Sequence, residues 1–243
     1  MSRRSVAKSV ALTVIAAAIL HTGAWAADFR DEIREASGKF RDMTATIIGV
    51  YANQKELNKI GKSYARSHEF KKAKITFKDP DKLKMEGTVG MVKIQYIICG
   101  ETRIVRIPSL RYSKRENLSD EPGKAQTSLD VGAITDGLYD THNVKHIGTE
   151  EDVLIFQLNR KGDDRWNQKI WVENKTFKLL KREKYRKNGL LKARYCYKDH
   201  HNVDSVIWIP FRTETYTPAG KLAGASELKN VKVNEGVLDS IFK

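Results

Sequence analysis

Two groups of histidines have residue types and spacing that could bind a metal ion or transfer a proton. His142 and His146 are four residues apart, which would place both on one face of a helix. No third ligand is apparent nearby, so we expect an unliganded pair. The segment 199–204 holds two histidines and two aspartates. We interpret it as a solvated loop between two strands, with adventitious metal binding as the less favoured alternative.

Motifs of known enzyme chemistry are otherwise missing from the sequence. It contains no G-x-S-x-G, no H-E-x-x-H, no P-loop and no G-x-G-x-x-G. Ser226 and Lys229 match S-x-x-K, but they lie in a strand pattern, whereas the enzyme motif begins a helix beside a pocket. Chance therefore explains the match better. We predict no catalytic residues, no metal and no cofactor, and we expect that the protein is not an enzyme.

The first 26 residues have the pattern of a secretory signal peptide. Three basic residues precede the uncharged apolar run Val10 to Leu20, and Ala24-Trp25-Ala26 ends the segment with small residues at the cleavage positions. The apolar run is about half of the roughly 20 residues that a spanning helix needs. We predict a periplasmic protein cleaved near Ala26, with residues 27–243 as a single domain. No cysteine follows the cut, so no lipid anchor is expected.

The rest of the chain is basic, with a formal charge of +14 from 44 Lys and Arg against 30 Asp and Glu for the whole sequence. Basic residues and tyrosines are dense over 178–198, a composition that a nucleic-acid-binding protein would also show. Export argues against a nucleic-acid partner. We expect most of these side chains to form a solvated outer face, and attraction to anionic lipid headgroups remains open for some of them. Cys99 and Cys196 could form one disulfide or stay as free thiols.

The elements that must position these residues are mostly strands. The pattern predicts a helix over 29–40, because Phe29, Ile33, Ala36 and Phe40 form one apolar stripe. Strands are predicted over 44–51, 74–77, 83–85, 92–98, 102–107, 153–158, 169–173, 176–186, 191–198, 206–215 and 226–233. Asn188-Gly189 is the strongest hairpin signal in the sequence.

The segment 108–144 between the two groups of strands is long, polar and rich in turns. Within it, Val131, Ile134 and Leu138 have helical spacing. Loops of this length in a compact domain are usually lids or binding loops. With one face apolar, the strands predict a mainly β (α+β) fold, built as a strongly curved antiparallel sheet or an open barrel.

Several short stretches resemble the LolA-like family of outer-membrane lipoprotein-sorting carriers. Lys82-Leu83-Lys84-Met85-Glu86-Gly87, which follows Asp79-Pro80, is similar to the family's segment in which a proline turn leads into a strand. Trp208-Ile209-Pro210 resembles its late W-x-P strand. The stretch 230–234 and the tail 239–242 resemble its closing strand and end. The likeness covers most of the chain after residue 26.

This resemblance implies a half-open barrel whose concave apolar face is covered by an N-terminal helix and lid helices and binds lipid acyl chains. A carrier needs no catalytic residues. We expect seven residues to line the acyl-chain cavity: Ile94, Tyr96, Phe156, Tyr195, Tyr197, Trp208 and Phe211. We expect Leu129, Val131, Ile134 and Leu138 to belong to the lid. The implied partners are lipid or lipoprotein acyl chains and membrane-bound donor and acceptor proteins, with the carrier itself a monomer.

Three alternatives stay open at this point. The predicted cavity residues could simply fill a core, and a shift of one residue in a strand would invert its faces. The same fold could serve a periplasmic sensor or adaptor that binds a protein partner, which predicts a large exposed apolar patch. An exported hydrolase working through His200 and His201 predicts that these imidazoles face a pocket with a carboxylate within reach.

Overall fold

Thirteen strands form one antiparallel sheet in the computed structural model, which describes residues 28–121, 124–163 and 165–243. The strands are β1 (Asp42–Ala52), β2 (Lys72–Lys78), β3 (Lys82–Val89), β4 (Val92–Cys99), β5 (Thr102–Ile107), β6 (Tyr112–Asn117), β7 (His142–Glu150), β8 (Val153–Arg160), β9 (Trp166–Glu173), β10 (Leu179–Arg186), β11 (Leu191–Val203), β12 (Ile207–Tyr216) and β13 (Leu222–Val233). Their order is β6-β5-β4-β3-β2-β1-β13-β12-β11-β10-β9-β8-β7. The first and last strands therefore pair at the centre, and β6 and β7 are the two edges.

Short helices lie between and beside the strands. They are α1 (Arg30–Ser37), α2 (Gln54–Ile60), α3 (Lys62–Ser67) and α4 (Leu138–Thr141), with 3₁₀ helices at Pro108–Leu110, Ser128–Asp130 and Asp239–Phe242. Helix α1 begins two residues after Asp28, whose carboxylate accepts a hydrogen bond from the Arg30 N–H at 3.0 Å. Among the described residues, no helix is both long enough and apolar enough to cross a membrane.

The predicted fold class is confirmed, and the sequence predicts eleven of the strands but not β6 or β7. Strand β6 reads Tyr-Ser-Lys-Arg-Glu-Asn, and most of its side chains are exposed. An edge strand of this kind buries neither face and so has no hydrophobic alternation to detect. Strand β6 lies within 108–144, and β7 begins there, so the sequence is wrong in assigning that whole segment to loop and lid. The predicted signal peptide lies outside the described residues.

Residues 118–121 and 124–141, here called the crossing segment, lie between the end of the edge strand β6 and the start of the opposite edge strand β7. They cross one face of the sheet, which we call the inner face. The Arg165 Nη2 donates a hydrogen bond at 3.1 Å to the Asp120 carbonyl, which joins the β8–β9 turn to the residues that follow β6. The sheet is curled enough to bring these regions together, but it is not closed into a barrel.

The prediction of a lid helix through Val131, Ile134 and Leu138 is wrong in its secondary structure. A 3₁₀ turn over 128–130 is capped by Thr127 and Asp130, and irregular turns follow until the four-residue α4. Gly132 at φ +79° interrupts any helix between them. The three apolar side chains are nevertheless buried against the sheet, because turns can also direct alternate side chains to one face.

Candidate ligand-binding face

The inner face is lined by apolar side chains from strands on both sides of its centre. On the β7 side, Leu154, Phe156 and Leu158 of β8 join Ile170 and Val172 of β9 in one cluster. On the β6 side, a second cluster includes Met43, Ile75, Phe77 and Leu83. The register explains this arrangement, because residues paired directly across antiparallel strands share a face. Met43 pairs with Phe77, and Phe77 pairs with Leu83.

The crossing segment supplies much of the cover of this face, together with Ile33 of α1 and side chains of α2 and α3. Leu129, Ile134 and Leu138 pack into the first cluster, and Val131 packs into the second. All four are buried. The predicted lid residues therefore lie together on the apolar surface that they were expected to cover.

The predicted cavity residues do not all lie in one cluster. Phe156 and Tyr197 are buried in the first cluster, and Tyr195 packs against it. Tyr96 packs against the second cluster. Ile94 is half-buried and pairs with Gly87 on β3, further along the sheet.

Two of the predicted cavity residues lie on β12. Phe211 packs against the second cluster, with its ring 4.3 Å from that of His201. Trp208 is not brought to the inner face. It alternates with the buried Ile207 and Ile209, and the Lys178 Nζ lies 4.0 Å from its ring centroid.

A buried ion pair joins the crossing segment to the sheet. The Arg182 Nη1 on β10 donates to the Asp130 Oδ1 at 3.0 Å, and the Arg182 Nε donates to the Gln168 Oε1 at 2.6 Å. The Thr127 N–H donates to the second Asp130 oxygen at 3.0 Å. Burial opposes ionisation of Asp130, but the charges of Arg182 and Lys184 outweigh it and hold the pKa of Asp130 below its ordinary value.

Two other contacts hold the same segment further along. The Thr135 hydroxyl donates to the Asp79 Oδ1 at 2.9 Å, beside the β2–β3 turn. Burial raises the pKa of Asp79 to about 6, and the nearby charge of Asp136 adds to the rise. Helix α1 contributes an ion pair from Arg34 to Asp136 at 3.0 Å. The cover is thus fastened by polar contacts at its middle and its end, while its apolar side chains face the sheet.

Cations outnumber carboxylates around the Arg182–Asp130 pair. Lys184 shares a face with Arg182 two residues away on β10, and it pairs with Gln168 on β9. Arg160 pairs with His142 at the β7 edge. Burial, followed by the charges of Arg160 and Arg182, lowers the pKa of His142 to about 3, so this imidazole is neutral. Burial and the neighbouring Arg182 lower the pKa of Lys184 to about 7.

These basic residues are not among the site residues predicted from the sequence. The sequence favours a solvated outer face for most basic side chains over 178–198, but Arg182 is buried. The pairing of β10 with β9 shifts by one residue between Leu179 and Lys181. That irregularity reverses the faces of the residues beyond it, and no sequence signal marks it.

The two groups of histidines considered as candidates for metal binding or proton transfer lie on different strands of the sheet. His142 and His146 both lie on β7, which is a strand and not a helix. His200 and His201 also lie within a strand, β11, so the loop interpretation of 199–204 is wrong. The His200 Nε2 is 2.8 Å from the Leu179 carbonyl, and the exposed His201 is 3.1 Å from Asp199. In the described part of the chain, no three His, Cys, Asp or Glu side chains cluster closely enough to hold a metal ion.

Cys99 and Cys196 are free thiols. They lie on β4 and β11, six strands apart in the sheet. Neighbouring strands are about 4.8 Å apart, so the path along the sheet between the cysteines is far longer than the roughly 6 Å that a disulfide spans.

Two surface cavities lie away from the inner face. One, of about 290 Å³, is lined by Cys99, Ile104, Phe242 and neighbouring residues beneath the C-terminal 3₁₀ helix. The other, of about 410 Å³, lies beside Trp171, Leu180 and Val153. Neither is lined by any of the predicted cavity or lid residues.

Comparison with solved structures identifies the fold. An outer membrane lipoprotein-sorting protein domain from Vibrio parahaemolyticus superposes with a TM-score of 0.61 at 12% identity, covering 88% of this chain and 94% of that one. A LolA superfamily protein from Nitrosomonas europaea gives 0.61 at 14% identity, with coverage of 89% and 98%. A DUF1329 family protein from Desulfovibrio piger gives 0.54 at 14% identity, with coverage of 89% and 95%.

Sequence comparison adds nothing further, because no family model and no curated protein matches the chain. At identities of 12–14%, the structural likeness shows the architecture alone. The open antiparallel sheet and the segment that crosses its inner face therefore have the LolA-like fold, as the sequence resemblance predicted.

Proposed function

We propose that this protein is a periplasmic carrier that holds the acyl chains of a lipid or lipoprotein between the crossing segment and the inner face. The observation that carries the proposal is the way this face is covered. Leu129, Ile134 and Leu138 pack onto it from a segment that belongs to no strand of the sheet. The segment can lift without breaking a strand ladder, and its departure would expose an apolar surface suited to acyl chains.

The free energy of apolar burial allows an acyl chain to replace the crossing segment on the inner face. Each buried CH₂ group of a ligand is worth about 0.8 kcal/mol, so one acyl chain can replace the contacts that the apolar side chains of the segment give up. The fold that is shared with a lipoprotein-sorting domain supports the same function. The signal-like N-terminus supports export to the periplasm.

Mass spectrometry of extracted ligand tests the proposal. We would produce the protein in an exporting bacterial host, purify it without detergent and extract any bound lipid. We expect a stoichiometric phospholipid or acylated peptide. A ligand-free protein that also refuses a fluorescent fatty-acid probe would overturn the carrier function.

A matched pair of variants tests the role of the cover. Ile134→Arg places a charge in the buried contact between the crossing segment and the sheet, whereas Ile147→Arg changes a residue of β7 that is 40% exposed. We expect Ile134→Arg to lose bound lipid while its circular dichroism still shows the sheet, and Ile147→Arg to keep its lipid. Equal lipid retention by both variants would count against the crossing segment as the cover.

A sensor or adaptor that binds a protein partner is the second candidate. Met91, Leu110 and Tyr112 favour it, because they are 98%, 67% and 46% exposed on the neighbouring β3–β4 and β5–β6 turns and at the first residue of β6. Exposed apolar side chains on adjacent turns are a feature of interaction surfaces. A protein without bound lipid, whose partner binding is lost in Met91→Lys, would favour this function over the carrier.

A further inference from the structure

Two half-buried cations on the inner face have no partner among the described residues that would account for their position. No hydrogen bond or ion pair from the described residues holds the Lys184 ammonium or the Arg160 guanidinium. The carboxylate of Asp130, whose charge acts on Lys184, is already engaged by Arg182 at 3.0 Å. Several acidic residues act on Arg160 through their charge at longer range: Asp130, Asp81, Asp163 and Glu101.

The geometry allows both cations to reach a single group. Lys184 pairs with Gln168, which pairs with Leu158, and Arg160 lies two residues further along β8 on the same face as Leu158. Two strand spacings and one two-residue step place the two Cα atoms about 12 Å apart. Two long side chains can converge across that distance. Gln168 lies on the strand between them, and the neutral His142 on β7 reaches toward it, with its Nε2 3.5 Å from the Gln168 Nε2.

The excess of basic side chains under the crossing segment indicates an anionic ligand. Arg182 and Asp130 neutralise each other, and His142 carries no charge, so Arg160 and Lys184 remain as basic groups without an adjacent counter-charge under the crossing segment. A bound anion would favour the protonated form of Lys184. Lys192 adds further positive charge close to Lys184. Burying a cation without a partner is unfavourable, whereas a doubly charged oxyanion would compensate both.

We propose that Lys184 and Arg160 bind the phosphate of an anionic ligand beneath the crossing segment. An arginine beside a lysine is well suited to a phosphate, because the guanidinium offers a fork of donors and the ammonium a point charge. The inference deepens the carrier function and rests on it for the acyl part of the ligand. The phosphate could belong to a phospholipid headgroup or to a free phosphate compound, and the experiment separates these sources.

The test compares two lipids that differ only in the phosphate group, with inorganic phosphate as a third ligand. Dioctanoyl phosphatidic acid, dioctanoylglycerol and inorganic phosphate would each be titrated into the detergent-free protein by calorimetry. We expect phosphatidic acid to bind about tenfold or more tightly than dioctanoylglycerol, as charge-assisted hydrogen bonds would give. We expect Lys184→Met combined with Arg160→Met to reduce that ratio to about one. Lys184→Met alone should lower it in part, and serves if the double variant fails to fold.

Lys181→Met is the matched control. It makes the same change on β10, but its side chain lies on the outer face, with its Nζ 3.4 Å from the Trp171 ring centroid. We expect this variant to keep the preference of the unmodified protein. Loss of the preference in Lys181→Met would overturn the assignment to the inner face.

The other outcomes distinguish this inference from the carrier function. Equal binding of the two lipids, or an unchanged preference in the Lys184 and Arg160 variants, would overturn the phosphate site and leave the carrier proposal standing. Binding of inorganic phosphate without either lipid would support the site, with a free phosphate as its source, and overturn the carrier. Failure of all three ligands to bind would overturn both.

Discussion

At the scale of single residues, the Arg182–Asp130 pair is the best-defined polar contact between the crossing segment and the sheet. Arg182 is only 4% exposed, and its guanidinium contacts Asp130 and Gln168 at hydrogen-bonding distance. Breaking such a pair is more harmful than its net strength suggests, because it leaves the other charge buried alone. Because the contact holds the crossing segment on the inner face, breaking it should lower the stability of the fold and also make the inner face more accessible to a ligand.

Asp130→Asn should lower the free energy of unfolding by about 3 kcal/mol, because it leaves the buried Arg182 cation without its counter-charge. Urea denaturation followed by circular dichroism would measure it. Asp31→Asn is the control, since the Asp31 side chain is 88% exposed in its pair with Arg34 and should contribute less than about 0.5 kcal/mol. Similar losses in the two variants would mean that the buried pair does not stabilise the fold.

Lys184 should make the protein more stable as the pH rises above neutrality. Its pKa is about 7 in the folded protein and about 10.4 in the unfolded chain, so the folded state binds fewer protons between these values. Stability is then reduced below pH 7 and regained as the pH rises toward 10. Because the side chain is only partly buried, we expect a gain on the order of 1–2 kcal/mol.

Measuring the unfolding free energy of the unmodified protein and Lys184→Met at pH 7 and pH 9.5 checks this. The difference between the two proteins should shrink at the higher pH, with Lys184→Met the more stable at pH 7. A difference that does not change with pH would show that the Lys184 ammonium is not disfavoured in the folded state.

At the scale of elements, the crossing segment has a close approach to β12 that a glycine permits. Gly132 has φ +79°, and a Cβ there would lie 2.3 Å from the Pro210 Cγ. The ring of Pro210 is part of a strand and cannot move freely. The crossing segment can therefore pack this closely against β12 only with glycine at position 132, where both the backbone conformation and the contact with Pro210 exclude a side chain.

Gly132→Ala should lower the free energy of unfolding by about 2–4 kcal/mol, through the clash with Pro210 and the left-handed backbone. It should also speed the uptake of a fluorescent fatty-acid probe, because the clash lifts the cover. Gly162→Ala is the matched control, since Gly162 has φ +75° but a Cβ there would meet no atom within 4 Å. It should show only the backbone effect of roughly 1 kcal/mol, with unchanged uptake. Unchanged uptake in Gly132→Ala would contradict the lid role.

At the scale of the whole molecule, the first and last strands of the chain pair in the middle of the sheet, and the sheet has two free edges. The first strand pairs with the last, so β1 and β13 each have two neighbours, whereas β6 and β7 have one each. Long-range pairing of β1 with β13 forms only when both ends of the chain are in place. The edges depend instead on local hairpins, and β6 is largely exposed.

We expect amide hydrogen exchange to follow this arrangement. Amides in β1 and β13, such as those of Ile47 and Leu228, should exchange only on global unfolding, and those of β6 should exchange by local opening at least about tenfold faster. Mass-spectrometric exchange on peptic peptides would measure both. Equal protection of β6 and β1 would indicate that the β6 edge is covered in solution.

Local sequence patterns were sufficient to predict the mainly β class and eleven of the strands. These features follow from local preferences and from the period of two, which a strand with one buried face imposes on its own residues. The edge strand β6 could not be predicted in this way, because it buries neither face. The turn structure of the crossing segment, the side of the sheet on which Trp208 lies, and the inward placement of Arg182 and Lys184 likewise emerge only from the assembled sheet. Faces depend on register, and a one-residue irregularity such as that between Leu179 and Lys181 reverses them without leaving a mark in the sequence.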